Sequence, residues 1–268
     1  MDLSLSLRKP GTAGEEPREI APDVHYLCVR GANVYFVRSD ASWALIDAGW
    51  PGYADAIRNA GESLFGPGTR PAAILLTHAH PDHVGSAAEL ARAWELPVWV
   101  QRDDLPYLQG GVIADDLLDP IGRVFSVLQR VMPERTVTRM TSSALKDMGR
   151  ALPGKGAEVP GLPDWECIHT PGHSPGHVVF FRPKDRVLIA GDAVLTAPLL
   201  GLLSGMQRPA RPPWIASWDW GLTKTAVATI AGLEPWVLAT GHGVPMAGDG
   251  VAGELHAFAR HFSHSALE

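Results

Sequence analysis

The chain has 268 residues, 46% of them apolar, with 23 basic and 29 acidic side chains and a formal net charge of −6. That length supports one large α/β domain or two small ones with a substantial core, and one domain is the simpler reading. The charges are mixed along the chain, so no basic stripe advertises a nucleic acid partner, and no run of eighteen apolar residues exists to span a membrane.

Residues 1–10 alternate Leu and Ser and place Arg8 and Lys9 after the apolar stretch. This reverses the order of a secretory signal, so a cytoplasmic location is expected. Residues 1–20 carry Gly, Pro and Glu without periodicity and read as a loose arm, with order beginning near Val24. A single domain over 21–268 is expected, with an inserted segment at about 102–163. Cys28 and Cys167 lack a ligand-pair spacing and read as isolated thiols.

β-rich runs at 24–29, 33–38 and 43–47 precede a helix over 54–64, a strand at 72–77, a helix from near His83 to Trp94 and a strand at 97–101. The second half repeats this grammar, with strands at 165–169, 177–182 and 186–190, a helix near 218–231 and a strand at 236–240. Two sets of strands followed by helices predict two packed sheets covered by helices. Between the halves, Pro120 can open a helix on which Ile121, Val124, Phe125, Leu128, Val131 and Met132 share a face, and Pro133 stops it. That face packs on the domain or on a second subunit, as in a homodimer, or it forms a lid; the pattern leaves these open. A second irregular segment, 196–214, follows Asp192 closely and has the length of a binding loop.

The densest chemistry is Thr77-His78-Ala79-His80-Pro81-Asp82-His83, where an apolar strand ends and a helix begins. On an extended tip His78 and His80 project to the same side, so both imidazoles can reach one ion. Asp82 and His83 lie at the turn into the helix and approach from a different direction, as a second ion nearby would require. His173, Asp192 and His242 each stand just after a β-rich run with glycine beside them. Glycine lets the backbone turn sharply and lets a metal approach closely. Imidazole and carboxylate ligands suit borderline metals such as zinc.

These motifs, in this order, resemble the metal signature of the metallo-β-lactamase superfamily, and Leu45-Ile46-Asp47-Ala48-Gly49 is similar to its opening aspartate motif. The resemblance runs from about Val24 to Pro245. It implies an α/β fold of the αββα sandwich type, with one ion held by His78, His80 and His173, the other by Asp82, His83 and His242, and Asp192 bridging both. Asp47 is implied as an outer residue orienting ligands or loops. His177 has no ligand slot left and is read as structural, while His25, His169, His256, His261 and His264 fall outside the motifs. Ser217-Trp218-Asp219 and Leu233-Glu234-Pro235 resemble bacterial metallo-hydrolases of the same superfamily.

Two adjacent cations, zinc here with iron or manganese as alternatives, lower the pKa of a shared water toward 7, so hydroxide can attack a carbonyl or phosphorus. Asp82 and Asp192 are the residues able to orient it or carry its proton. The reading is a metal-dependent hydrolase acting on a small molecule, an ester, lactone or related acyl compound. The apolar side chains of the two irregular segments suit such a substrate, and Arg208 or Arg211 could pair with an acid group on it. A β-lactamase-like amide hydrolase is disfavoured without an export signal. A lactonase would need a different acid, because Leu195 stands where the resemblance would place a tyrosine. A mononuclear-iron persulfide dioxygenase would need only His78, His80 or His173, and Asp192.

Overall fold

The computed structural model describes residues 16–40, 42–109, 145–196, 207–213 and 216–264. The first sheet takes its strands in chain order: β1 (Arg18–Ala21), β2 (Val24–Val29), β3 (Ala32–Ser39), β4 (Ser42–Ile46), β5 (Ala73–Leu75), β6 (Val98–Val100) and β7 (Gly149–Ala151). Pairing is antiparallel from β1 to β4 and parallel from β4 to β7. The second sheet holds β8 (Glu166–His169), β9 (Val178–Arg182), β10 (Val187–Gly191), β11 (Val237–Thr240) and β12 (Met246–Ala247) in the spatial order β12-β11-β10-β9-β8, with only β10 and β11 parallel among these. The described helices are α1 (Ala54–Phe65), α2 (Pro81–Val84), α3 (Ala87–Trp94), α4 (Leu105–Leu108), α5 (Trp220–Gly232) and α6 (Gly250–His264).

Every residue of β9 and β10 is buried. That is expected of strands covered on both faces, where apolar runs replace in–out alternation. Between the sheets, Tyr35, Ile46 and Leu75 of the first meet Phe180, Val187 and Ile189 of the second. Outside the first sheet, Ile57 of α1 and Leu90 and Trp94 of α3 pack on Phe36, Trp43 and Ile74. Outside the second, Ile230 of α5 and Leu255 of α6 pack on Val179, Leu188 and Leu238. The layers are therefore helix, sheet, sheet, helix, as the strand and helix pattern implied. Each such fully buried side chain contributes about 1.5–3 kcal/mol of hydrophobic stabilisation.

Three expectations change. Ordered sheet begins at Arg18, ahead of Val24, because β1 pairs along β2 through Arg18↔Tyr26 and Glu19↔His25. The helix expected from His83 to Trp94 is two helices. The Gly85 and Ser86 amides donate to the carbonyls of Gly49 and Ala48 at 2.9 and 3.3 Å, which takes them out of a continuous helical ladder. A side chain at 85 would also collide with the Pro51 backbone. Short strands β7 and β12 and helices α4 and α6 are additions to the expected elements. The expected helix at 121–132 lies outside the described residues, as does most of the irregular segment, 197–206.

Candidate metal centre

The C-terminal ends of β4, β5, β10 and β11 gather at one edge of the sandwich, the place where α/β sheets put their sites. Ile46 is in register with Leu75, and Gly191 with Thr240, so Asp47 sits beside the 76–78 segment and Asp192 beside the 241–242 segment. The two sheets are hydrogen-bonded to each other here. The Val178 amide donates to the Thr77 carbonyl and the Asn33 amide to that of Gly241, both at 2.8 Å. Asn33 Nδ2 donates to the carbonyls of Thr240 (2.9 Å) and Gly243 (2.7 Å), and Tyr35 Oη to that of Thr240 (2.6 Å). A polar strand residue at 33 thus clamps the His242 loop onto the first sheet.

All seven side chains expected as ligands converge at this edge. Donor atoms of His78, His80 and His173 lie within 4.8 Å of one another, as do those of Asp82, His83 and His242, and those of His78, His83 and Asp192. The third trio shares members with the other two, so the first two clusters adjoin. Asp192 Oδ2 is 3.2 Å from Nε2 of His242 and 3.6 Å from Nε2 of His173, while its Oδ1 is 3.5 Å from Nε2 of His83. Asp82 Oδ2 is 3.1 Å from His242 Nε2. At Gly241 any Cβ would collide with Asp192 Oδ1, which explains a glycine in this crowded turn.

Neighbouring groups set which nitrogen faces inward in three of the imidazoles. Asp47, buried and with a positive φ of 61°, accepts from the Thr77 amide and hydroxyl, each at 2.8 Å, and from Nδ1 of His83 at 2.9 Å. Because the Thr77 hydroxyl gives its proton to Asp47, it accepts from His78 Nδ1 at 3.0 Å. His242 Nδ1 donates to the Gly31 carbonyl at 2.7 Å. In all three histidines Nε2 is left for the centre. His177 stands outside the trios. Its Nε2 accepts the Asp192 amide at 3.0 Å and its Nδ1 donates to Thr170 Oγ1 at 2.9 Å, so it fixes the backbone of Asp192. Burial above all keeps it neutral, holding its pKa down to about 3.

Two residues at the edge carry no signal in the sequence. Asp104, one of two adjacent aspartates in an ordinary-looking turn, is buried, and its carboxylate accepts from the Ala79 and Gly176 amides and the Ser174 hydroxyl. Asn33 is the other, the clamp already described. Trp218 and Asp219 bind the third histidine loop through their amides, which donate to the carbonyls of His173 (3.1 Å) and Gly172 (2.8 Å). The Asp219 side chain then caps α5 by accepting from the Leu222 amide at 2.8 Å.

The electrostatics favour positive charge in this cluster. Burial, and then neighbouring histidines, hold His78 and His173 well below the usual imidazole range, in the neutral form that ligates metals. Burial also pushes His83 and His242 down, but the carboxylates of Asp192 and Asp82 override it, raising His83 well above its ordinary value and His242 to about 10. His78 Nε2, His83 Nε2, both ring nitrogens of His173 and Asp192 Oδ1 are buried with no hydrogen-bond partner. Buried polar atoms are normally satisfied, so a cluster of residues with unsatisfied ones, whose ligand atoms lie within 4.8 Å of one another in each trio, fits a cation.

An αββα sandwich with a His/Asp cluster at its strand ends defines an α/β protein equipped to hold metal. The family model of the metallo-beta-lactamase superfamily matches residues 29–242, and the chain belongs to that family. It is 38% identical over 251 residues to the probable metallo-hydrolase YflN of Bacillus subtilis (strain 168), covering 91% of this chain and 93% of that one. Its fold is similar to the metallo-beta-lactamase family protein TTHA1429 from Thermus thermophilus, with TM-score 0.61, 20% identity, and 91% and 80% of the two chains covered. It is also similar to TTHA1623 in a di-iron-bound form, with TM-score 0.53, 26% identity, and 90% and 96% covered.

Proposed function

We propose that the chain is a metal-dependent hydrolase holding two divalent ions, zinc first among them, and acting on an ester, lactone or related acyl compound. The observation that carries this is the position of Asp192, whose two oxygens lie 3.2 to 3.6 Å from Nε2 atoms of His242, His83 and His173. One carboxylate thereby faces both ligand clusters. His78, His80 and His173 would hold one ion, Asp82, His83 and His242 the other, with Asp192 between them. Imidazole and carboxylate donors suit zinc, with iron or manganese as alternatives. The di-iron form of TTHA1623 supports two ions in this fold and supports iron as an alternative.

When bound, the ions would supply a water acidified toward neutral pH and a Lewis acid for the acyl oxygen. Asp82 and Asp192 would orient the attacking water and carry its proton to the leaving group. Asp82, 18% exposed, is the more open of the two, against 7% for Asp192. Asp47 and His177 hold His83, Thr77 and the Asp192 amide in place. A net charge of −6 and the carboxylates at the centre disfavour a polyanionic nucleic acid and support a small-molecule substrate. Exposed Arg208, whose amide donates to the Thr196 carbonyl at 3.1 Å beside the His242 loop, offers an anchor for an acid group on that substrate. No described helix is long and apolar enough to cross a membrane. YflN, named as a probable metallo-hydrolase, supports the reaction class.

The test combines metal analysis with a panel of esters, lactones, thioesters, β-lactams and phosphodiesters. Close to two ions per chain are expected, with turnover lost on chelation. Along an ester or lactone series, kcat/KM should rise several-fold per added methylene, following about 0.8 kcal/mol per buried methylene. A flat series, or a preference for the phosphodiester, removes the acyl assignment. A single iron that saturates the protein would replace the hydrolase with a mononuclear oxygen-using enzyme.

A further inference from the structure

Asp104 is fully buried just before α4 and belongs to none of the donor trios. Its Oδ2 accepts from the Ala79 amide at 3.0 Å and from Ser174 Oγ at 2.7 Å, and its Oδ1 accepts from the Gly176 amide at 2.6 Å. Ala79 lies between His78 and His80, and Ser174 directly follows His173. One carboxylate therefore ties together the two loops that supply His78, His80 and His173. The fit has no slack, because a Cβ at Gly176 would come within 2.8 Å of Asp104 Cβ and Cγ.

The other cluster rests on different supports. Asp47 holds His83, the Gly31 carbonyl holds His242, and Asn33 clamps the His242 loop. None of these bonds involves Asp104. A buried carboxylate is costly unless its oxygens are satisfied, and an apolar residue at 104 would strand three donors. We infer that Asp104 is a positioning residue that sets the separation of the His78–His80 loop from the His173 loop. It thereby tunes the metal affinity of the His78, His80 and His173 site, and not that of the Asp82, His83 and His242 site. The inference rests on the two-ion reading above.

The experiment is zinc titration of the full chain in competition with a chromophoric chelator, with circular dichroism to check folding. Asp104→Ala is introduced into two backgrounds that each disable one site, His242→Ala and His80→Ala. In the His242→Ala background the remaining ion should bind about 10- to 100-fold more weakly, the usual loss for an outer partner of a ligand. In the His80→Ala background affinity should change by less than about twofold, as for sites that do not couple. A general structural defect would weaken both alike. Ser174→Ala removes one donor and leaves the carboxylate in place, so it carries the same test if Asp104→Ala does not fold. It should show the same ordering at about fivefold, the scale of one hydrogen bond. Equal losses in both backgrounds, or none in either, overturn the inference and leave the two-ion reading standing. A wild-type chain that takes up at most one ion in excess zinc overturns both.

Discussion

The two sheets supply their share of the site in unlike ways. The first delivers His78, His80, Asp82 and His83 from one short segment between β5 and α2, so chain geometry alone brings them close. The second delivers His173, Asp192 and His242 from three separate loops, each of which must be placed by something else. His177 holds the Asp192 amide, Asn33 and Tyr35 hold the His242 loop, and Trp218, Asp219 and Asp104 hold the His173 loop. A compact motif is brought together by its own chain and then braced by Asp47 and Asp104; a dispersed one depends for its assembly on contacts made across the molecule.

The sharpest way to break that comparison is at Asp192, where both clusters meet. Asp192→Ala should lower kcat/KM by more than about 100-fold, beyond what outer partners cost, and should reduce the metal content. Steady-state kinetics and elemental analysis on one sample read both, and ordinary values for either would end the ligand assignment. Next comes Gly241→Ala, whose new methyl would push on Asp192 Oδ1 and on His83 Cε1, 2.7 Å away. Overpacking of this kind costs about 1–3 kcal/mol, and here it should also cost metal, which a chelator competition would detect. His177→Ala should stay within about 10- to 100-fold in metal affinity, since it loosens a backbone and removes no proposed ligand. A larger effect than that of Asp192→Ala would reverse the order of importance of the two residues.

Asn33→Ala tests the scaffold more than the chemistry. Losing two hydrogen bonds to the His242 loop, one buried and one partly buried, should destabilise the protein by about 1–3 kcal/mol in urea unfolding. An unchanged midpoint would show that the clamp is redundant. The smallest effect lies away from the edge, at Cys167, whose thiol is pushed up to about 12 by burial. The thiolate is the reactive form, so alkylation at pH 8 should be slow in the folded chain and speed up on unfolding. Equally fast labelling in both states would contradict that burial.

Sequence legibility follows the same division. The 24–29 strand is legible with its observed ends, and the neighbouring strands within a residue or two, because their apolar runs are long enough to show. β7 and β12 span three and two residues, too few for any period. β1 exists through pairing with β2, which no local pattern reports. At the site, residues whose type is itself the signal are visible, since histidines and aspartates beside glycines at strand ends are uncommon. Asp104 and Asn33 are not, because a buried carboxylate and a surface one are spelled alike. Only the fold shows that 104 lies under two loops and that 33 reaches across to the other sheet.

The hydrogen bonds of Asn33 and Val178 make the site edge a seam between the two sheets. An ion gripped by Asp82 and His83 on one side and by Asp192 and His242 on the other would act as a rivet through that seam. It would bind the closed sandwich and not the open chain, adding about 4.1 kcal/mol of stability when free metal exceeds its dissociation constant a thousandfold. Metal supply would then govern the lifetime of the polypeptide as well as its turnover number. A cell short of metal would hold a larger share of this protein in the open, protease-sensitive form.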